Sequence, residues 1–298
     1  MYAKEDPRST LTAATTSPPD KGAAIAAAQY FDLVPPDAAT PDGRTVVVRA
    51  QNVVLALTHA RAGDRLDNGT PDGELAVVVT DDTPAFRVQS DDGELLIDSP
   101  GLVVVPPGPS GLTVHGDGTV IRLFETDEPA WRDRAVNAEA YTRDHPRVAP
   151  LRRWPEPAGG RATRFYPLAD VPDDPDRFGR IFRTRSFMVN FLPPQGPRDP
   201  AKLSPHTHDD FEQLSLAVRG SFVHHIRTPW LNDSTVWRED EHVTLGSPSL
   251  AIIPPPTVHT SAATDPDGNQ LIDIFSPPRT DFSRKPGWVL NADDYPMP

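Results

Sequence analysis

The stretch SPGLVVVPP at residues 99–107 recurs as SPSLAIIPP at residues 247–255, 148 positions further along the chain. Each copy is a short apolar run bounded by prolines, a pattern typical of a buried strand. Another strand-like run follows each copy, TVIRLF in the first half and LIDIF in the second. Upstream, ELAVVV from Glu74 matches EQLSLAV from Glu212. The repeat predicts a tandem of two similar all-β units.

The composition excludes several classes of protein. The chain has 298 residues, of which 36 are proline and none is cysteine, and its net charge is −13. Proline at this level is incompatible with an all-helical fold, and the missing cysteines exclude disulfides and thiolate ligands. The negative charge without a Lys/Arg-rich stretch argues against nucleic-acid binding. The longest apolar run near the N-terminus, AAIAAA at residues 23–28, is too short to span a membrane. We therefore expect a soluble, cytoplasmic protein.

Turn residues and proline clusters set the expected boundaries. We divide the chain into an extended N-terminal arm, a first strand-rich unit, a linker and a second strand-rich unit, at residues 1–24, 25–145, 146–162 and 163–298. The segment 129–145 predicts a helix that begins at Pro129 and stops before Pro146. The sequence thus predicts two β-units joined by a short helical linker.

The second unit contains a set of residues suited to a metal. His206 and His208 in SPHTHDDFEQLSLAVRG project from one face if the chain is extended, because side chains alternate along a strand. Glu212 lies an even number of residues from both histidines, so it would project from the same face of a regular strand, whereas Gln213 is expected to point away. His259 follows a Pro-Pro-Pro turn. Three imidazoles and one carboxylate suit a divalent ion such as Fe, Mn, Ni, Co or Zn.

These residues resemble the metal motifs of the cupin superfamily. The first motif runs H-x-H, three or four residues, E, then about six residues to G; here seven residues separate Glu212 from Gly220. The second motif runs from Gly246 through the proline turn to His259, with a longer gap and a proline in place of its second glycine. The resemblance implies two jelly-roll barrels, a bicupin, with one divalent metal in the second barrel and a small-molecule substrate. Because a bicupin already resembles a dimer of single barrels, both a monomer and a homodimer stay open.

The first unit lacks the corresponding ligands. Projected back through the repeat, the positions of His206 and His208 become Asn68 and Thr70, and that of His259 becomes Gly111. The first barrel is therefore expected to bind no metal and to be structural, or to supply a wall or a dimer surface.

Candidate catalytic residues lie on two strands of the second unit. His224 and His225 are adjacent, so one is expected inside the barrel, either touching substrate or as a buried structural histidine. Arg183 and Arg185 share a face of the opening strand, either to grip a carboxylate at the barrel mouth or on a solvated edge. We name His224, His225 and Arg185 as catalytic candidates.

Three functions are compatible with this sequence. The first is an isomerase or lyase that uses the metal as a Lewis acid on a small sugar-derived or carboxylate substrate. The second is a non-haem iron dioxygenase, and the third is a ligand-sensing or storage protein without catalysis. The ending LIDIFSPPRTDF resembles that of small cupins that process unsaturated uronates, which favours the first.

Overall fold

The computed structural model describes residues 23–172, 174 and 176–298. In these ranges the chain is almost entirely β, with two short α-helices, Pro129–Arg132 (α1) and Thr280–Arg284 (α2), and single 3-10 turns at Asp42–Arg44, Ala138–Tyr141, Leu168–Asp170, Pro200–Lys202 and Ser234–Val236. The predicted all-β fold is confirmed. The predicted N-terminal arm lies outside the described residues, except for its last two.

Two sheets pack face to face to form the first barrel. Its strands are Thr45–Arg49 (β2), Val53–Ala60 (β3), Arg65–Gly69 (β4), Leu75–Val79 (β5), Phe86–Ser90 (β6), Gly93–Ile97 (β7), Gly101–Val105 (β8), Ser110–Val114 (β9) and Gly118–Glu125 (β10). They are joined by Arg164–Pro167 (β11). The sheet orders are β11-β8-β5-β10-β3-β2 and β4-β9-β6-β7.

The second barrel repeats this arrangement. Its strands are Arg180–Arg183 (β12), Met188–Phe191 (β13), Gln213–Arg219 (β14), Phe222–Arg227 (β15), Glu241–Leu245 (β16), Ser249–Ile253 (β17), Val258–Ala263 (β18) and Gln270–Phe275 (β19), joined by Gln29–Asp32 (β1). The sheet orders are β1-β17-β14-β19-β13-β12 and β16-β15-β18. Gly220, in the turn from β14 to β15, has φ +79°, a conformation that glycine adopts without strain.

The two halves exchange their edge strands. β1 precedes the first barrel in sequence but pairs with β17 of the second, whereas β11 follows the linker but pairs with β8 of the first. The two exchanged strands also end in equivalent hydrogen bonds. The N–H of Leu33 donates to the carbonyl of Pro248, and the N–H of Leu168 donates to the carbonyl of Pro100. Each exchanged strand covers an edge whose backbone groups would otherwise face solvent. Sheet membership therefore differs from the predicted boundaries at residues 25 and 163.

The interiors of the two barrels differ in polarity. One apolar cluster joins the outer faces of both large sheets and includes Leu55, Leu123, Leu214 and Ile274. A second continuous cluster fills the first barrel, whereas the described residues of the second barrel form two smaller clusters. At matching positions of the repeat, Leu75 of the first interior corresponds to Gln213 of the second. The second barrel thus contains a polar chamber where the first has a packed core.

The helix predicted over residues 129–145 is much shorter in the structure. α1 ends at Arg132, and only the 3-10 turn Ala138–Tyr141 follows. Between them, Val136 N–H donates to Val47 O, and the Asn137 side chain bonds both the N–H and the C=O of Arg49. These bonds to β2 end the helix. No helix in the described part of the chain is long and apolar enough to cross a membrane.

Candidate metal centre

Three buried imidazoles converge inside the second barrel. The ligand nitrogens of His206, His208 and His259 all lie within 4.8 Å of one another. The segment carrying His206 lies beside β18, where His206 and His259 exchange two backbone hydrogen bonds of 3.0 and 2.8 Å. This pairing places the two rings side by side, and the alternation of the extended chain brings His208 to the same face. Among the described residues, no other group of three potential ligands is found.

Backbone carbonyls fix the tautomers of two of these rings. Nδ1 of His206 lies 2.9 Å from the carbonyl of Ser204, and Nδ1 of His259 lies 3.0 Å from that of Thr257. Because a carbonyl oxygen only accepts, each Nδ1 carries the proton and each Nε2 presents a lone pair. A backbone partner of this kind commonly orients histidines that ligate metals.

Gln213 supplies the fourth side chain of the cluster. Its Oε1 lies 2.7 Å from Nε2 of His208 and 3.2 Å from Nε2 of His259. Asp273 fixes the orientation of the Gln213 amide. Nε2 of Gln213 donates to Oδ1 of Asp273 at 3.0 Å, and because a carboxylate only accepts, the atom facing Asp273 is the nitrogen. The lone pairs of Gln213 Oε1 and His259 Nε2 therefore face each other. A cation between them relieves this repulsion, so the donor set fits a divalent metal.

The protonation of His208 supports the same conclusion. Its burial and the nearby positive charge of Arg279, together with His206 and His259, lower the pKa of His208 well below its usual value. The ring is thus neutral at physiological pH, the form in which histidine ligates metals.

Glu212, the predicted carboxylate ligand, lies outside this cluster. Since Glu212 and Gln213 are adjacent at the start of β14, their side chains point to opposite faces. The Glu212 carboxylate accepts hydrogen bonds from the backbone N–H of Gln51 at 2.7 Å and from the Tyr141 hydroxyl at 2.8 Å. Burial raises its pKa. Beside the histidines the structure has Gln213, which was expected to point away, and not Glu212.

The repeat contains a signal that separates these two residues. Glu74, the counterpart of Glu212, accepts from the backbone N–H of Arg185 at 2.9 Å and from the Tyr295 hydroxyl at 3.1 Å. Each glutamate thus binds a turn of the other half. The first half keeps this glutamate although it has no counterparts of the histidines. The glutamate therefore has a role that both halves share, namely to bind the other half. Gln213 also restores the six-residue spacing to Gly220.

An arginine occupies the corresponding place in the first barrel. Arg122 stands where the repeat has Asp273 in the second barrel, and it is buried. Its guanidinium donates to Asn68 Oδ1 at 3.0 Å and lies 4.6 Å from the Trp131 ring centroid. Asn68, the counterpart of His206, in turn donates to Ser110 at 3.2 Å. The first barrel therefore holds a buried guanidinium at the position where the second barrel has Asp273 beside the histidine cluster.

A cavity of about 220 Å³ opens onto the cluster. Its wall includes the cationic side chains Arg177 and Arg198 and the carboxylate of Asp273, together with apolar residues such as Phe178. Nη2 of Arg198 donates to Ser204 Oγ at 2.9 Å, which holds the guanidinium near the histidines. Neither arginine was predicted as a site residue, because each lies in an irregular segment without a motif.

The three catalytic candidates occupy different places. His224 faces the barrel interior, where burial lowers its pKa to about 4, and its Nδ1 lies 2.8 Å from Ser261 Oγ. His225 faces outward and contacts His242. Arg185 lies between the barrels, where it pairs with Glu156 at 2.9 Å. Arg185 and His225 are not among the residues that line the cavity, so their catalytic roles stay predictions.

Solved structures with a similar fold exist, although no family model and no curated protein matches the chain. An IolB-like protein from Salmonella typhimurium LT2 is 12% identical, with a TM-score of 0.50 over 80% of this chain and 86% of that one. The formate complex of oxalate decarboxylase from Lactobacillus farciminis is 11% identical, with a TM-score of 0.49 over 77% and 78%. A cupin 2 conserved barrel domain protein from Leptotrichia buccalis is 9% identical, with a TM-score of 0.44 over 78% and 88%.

The chain has the fold of the cupin superfamily, with two barrels in tandem. At these identities the likeness concerns the fold, so the function has to be argued from the residues of the second barrel.

Proposed function

We propose that the second barrel binds one divalent metal through His206, His208, His259 and Oε1 of Gln213, and that the protein is an enzyme acting on a small anionic substrate. The observation that carries this proposal is the convergence of four neutral donors at a cavity lined by arginines. Fe, Mn, Ni, Co and Zn all accept such a donor set.

Charge balance argues for an anionic substrate. Imidazoles and an amide oxygen leave the charge of a divalent ion uncompensated, and Asp273 is one hydrogen bond removed from the donors. Arg177 and Arg198 add positive charge to the wall. A carboxylate would be attracted by both, since a guanidinium binds it through two parallel hydrogen bonds. The cavity is smaller than the 300–1,000 Å³ or so of typical drug-sized sites, so the substrate is small.

For the reaction we propose isomerase- or lyase-type chemistry on a small sugar-derived or carboxylate substrate, which the ending LIDIFSPPRTDF supports. A divalent ion held here would supply a Lewis acid that polarises substrate oxygens and acidifies an adjacent C–H bond. The dioxygenase alternative is not separated from this proposal by the donor set, because an anionic substrate bound at an Fe(II) ion would supply the negative charge that the neutral donors lack. The chain's own part is to orient the carboxylate with Arg198 and to hold Gln213 through Asp273.

Metal analysis of protein purified without added metal tests this proposal. We expect stoichiometric metal in the wild type and in the control His225→Ala, whose ring faces outward, and loss of metal in His208→Ala. Small hydroxy and keto acids are then offered to the metal-loaded protein while products and O₂ are measured. Turnover without O₂ uptake supports the proposal. Stoichiometric iron with substrate-dependent O₂ uptake favours the dioxygenase, and carboxylate binding without turnover favours a sensor.

A further inference from the structure

A hydroxyl on the cavity wall is held by a buried histidine. His224 on β15 lies directly opposite Ser261 on β18, and its Nδ1 is 2.8 Å from Ser261 Oγ. The His224 ring is fully buried, whereas Ser261 lines the same cavity as His206 and His259. Ser261 is two residues beyond His259, so both side chains leave the strand on the cavity side, about 6–7 Å apart.

The surroundings of His224 determine which nitrogen carries its proton. Nε2 is buried and has no hydrogen-bond partner, and the nearest ring is that of Phe222, at 6.5 Å between centroids. The ring is neutral, because its burial and the neighbouring His225 both disfavour the charged form. A proton on Nε2 would bury an unsatisfied donor, and orphaned donors are rarer in proteins than under-satisfied acceptors. The proton therefore sits on Nδ1, which donates to Ser261.

This tautomer determines in which direction the hydroxyl of Ser261 donates its hydrogen bond. A hydroxyl that accepts from His224 has its own proton available for another acceptor, and the open direction is the cavity. We propose that Ser261 is a substrate-binding residue that donates to an oxygen of the substrate, with His224 as the residue that positions it. The inference rests on the proposed function and adds a requirement: beyond the atoms at the metal, the substrate carries a second acceptor, such as a distal carboxylate or carbonyl.

The tautomer of His224 is read directly from ¹⁵N–¹H correlation spectra of histidine-labelled protein, with or without metal or substrate. We expect protonated Nδ1 and bare Nε2 at neutral pH. A spectrum with the proton on Nε2, or an imidazolium, overturns the inference. This result does not depend on the proposed function, which fails separately if the wild type binds no metal.

Binding of malonate and succinate to the cobalt-loaded protein, followed by calorimetry, tests the role of Ser261. We expect Ser261→Ala to weaken the binding of the tighter-binding anion about tenfold, because one hydrogen bond to a charged group is lost. The metal content should stay unchanged. Ser261→Thr, which keeps a hydroxyl, and the control Ser110→Ala in the first barrel should bind nearly as the wild type does. A wild type that binds neither anion, or an unaffected Ser261→Ala variant, overturns the inference.

The role of His224 is separated from a purely structural one by a double-mutant cycle. His224→Leu should weaken binding less than Ser261→Ala does, because the hydroxyl remains but is no longer oriented. The double variant should be no weaker than Ser261→Ala alone, since His224 acts only through that hydroxyl. Additive losses would mean that His224 supports the barrel rather than Ser261.

Discussion

The two matched glutamates allow the assignment of Gln213, rather than Glu212, to the metal site to be tested. Glu212 and Glu74 each accept one backbone and one tyrosine hydrogen bond from the other half of the chain. Alanine at either position leaves two buried donors without acceptors, at about 1–3 kcal/mol each. We therefore expect Glu212→Ala and Glu74→Ala to lower the free energy of unfolding by about 2–6 kcal/mol.

The amide variants provide the sharper comparison. Glutamine keeps an acceptor oxygen, so Glu212→Gln and Glu74→Gln should each cost only about 1–2 kcal/mol. In a chain of this length that corresponds to a lowering of Tm by a few degrees, at about 2–4 °C per kcal/mol. Denaturation curves measure the stability, and elemental analysis measures the metal.

Both amide variants should retain stoichiometric metal, and Gln213→Leu should lose it while remaining folded. Leucine is the residue at this position in the first barrel, Leu75, so the substitution suits the fold. The assignment of Gln213 to the metal site is refuted if Glu212→Gln loses its metal while the equally destabilised Glu74→Gln keeps it. That result would identify Glu212 as a metal ligand.

Three further predictions concern the same barrel. His208→Ala and His259→Ala should each abolish metal binding with an unchanged far-UV spectrum; a collapsed spectrum would show instead that these rings hold the fold. Gln213→Glu should destabilise the metal-free protein by about 1–3 kcal/mol, because two carboxylates replace the amide–Asp273 bond; adding Asp273→Asn should restore stability and metal binding, as measured by thermal melts and calorimetry. The pKa of His224, about 4, lies below the 6.5 of the unfolded chain, so only the unfolded state takes up a proton between these values. The free energy of unfolding should thus fall by about 3 kcal/mol as the pH drops from 6.5 to 4, and the decrease should be smaller in His224→Gln.

Local patterns made the fold and the histidines predictable. The apolar runs at residues 99–107 and 247–255 are strands buried on both faces, so their character is visible without knowledge of their partners. His206 and His208 are separated by one residue, and the extended backbone alone brings them to one side. The repeat then showed that the first half carries Asn68 and Gly111 at the positions of His206 and His259.

Features that depend on distant partners were not predictable in this way. Glu212 and Gln213 are neighbours of opposite orientation, and the orientation is set by Gln51 and Tyr141 of the other half. The helix after Pro129 stops because the chain bonds to β2. Arg198 reaches the cavity from an irregular segment, where periodicity carries no information.

The strand exchange has a consequence for how the protein is made. During synthesis β1 emerges before the first barrel, whereas its partner β17 emerges only after that barrel. The first barrel in turn lacks its edge strand β11 until the linker has passed. The first barrel is therefore incomplete when its own sequence ends, and the second barrel closes onto a strand that was made before the first barrel. Pairing over such a long separation is slow, and a fragment covering only the second half would expose the edge of β17 and tend to aggregate.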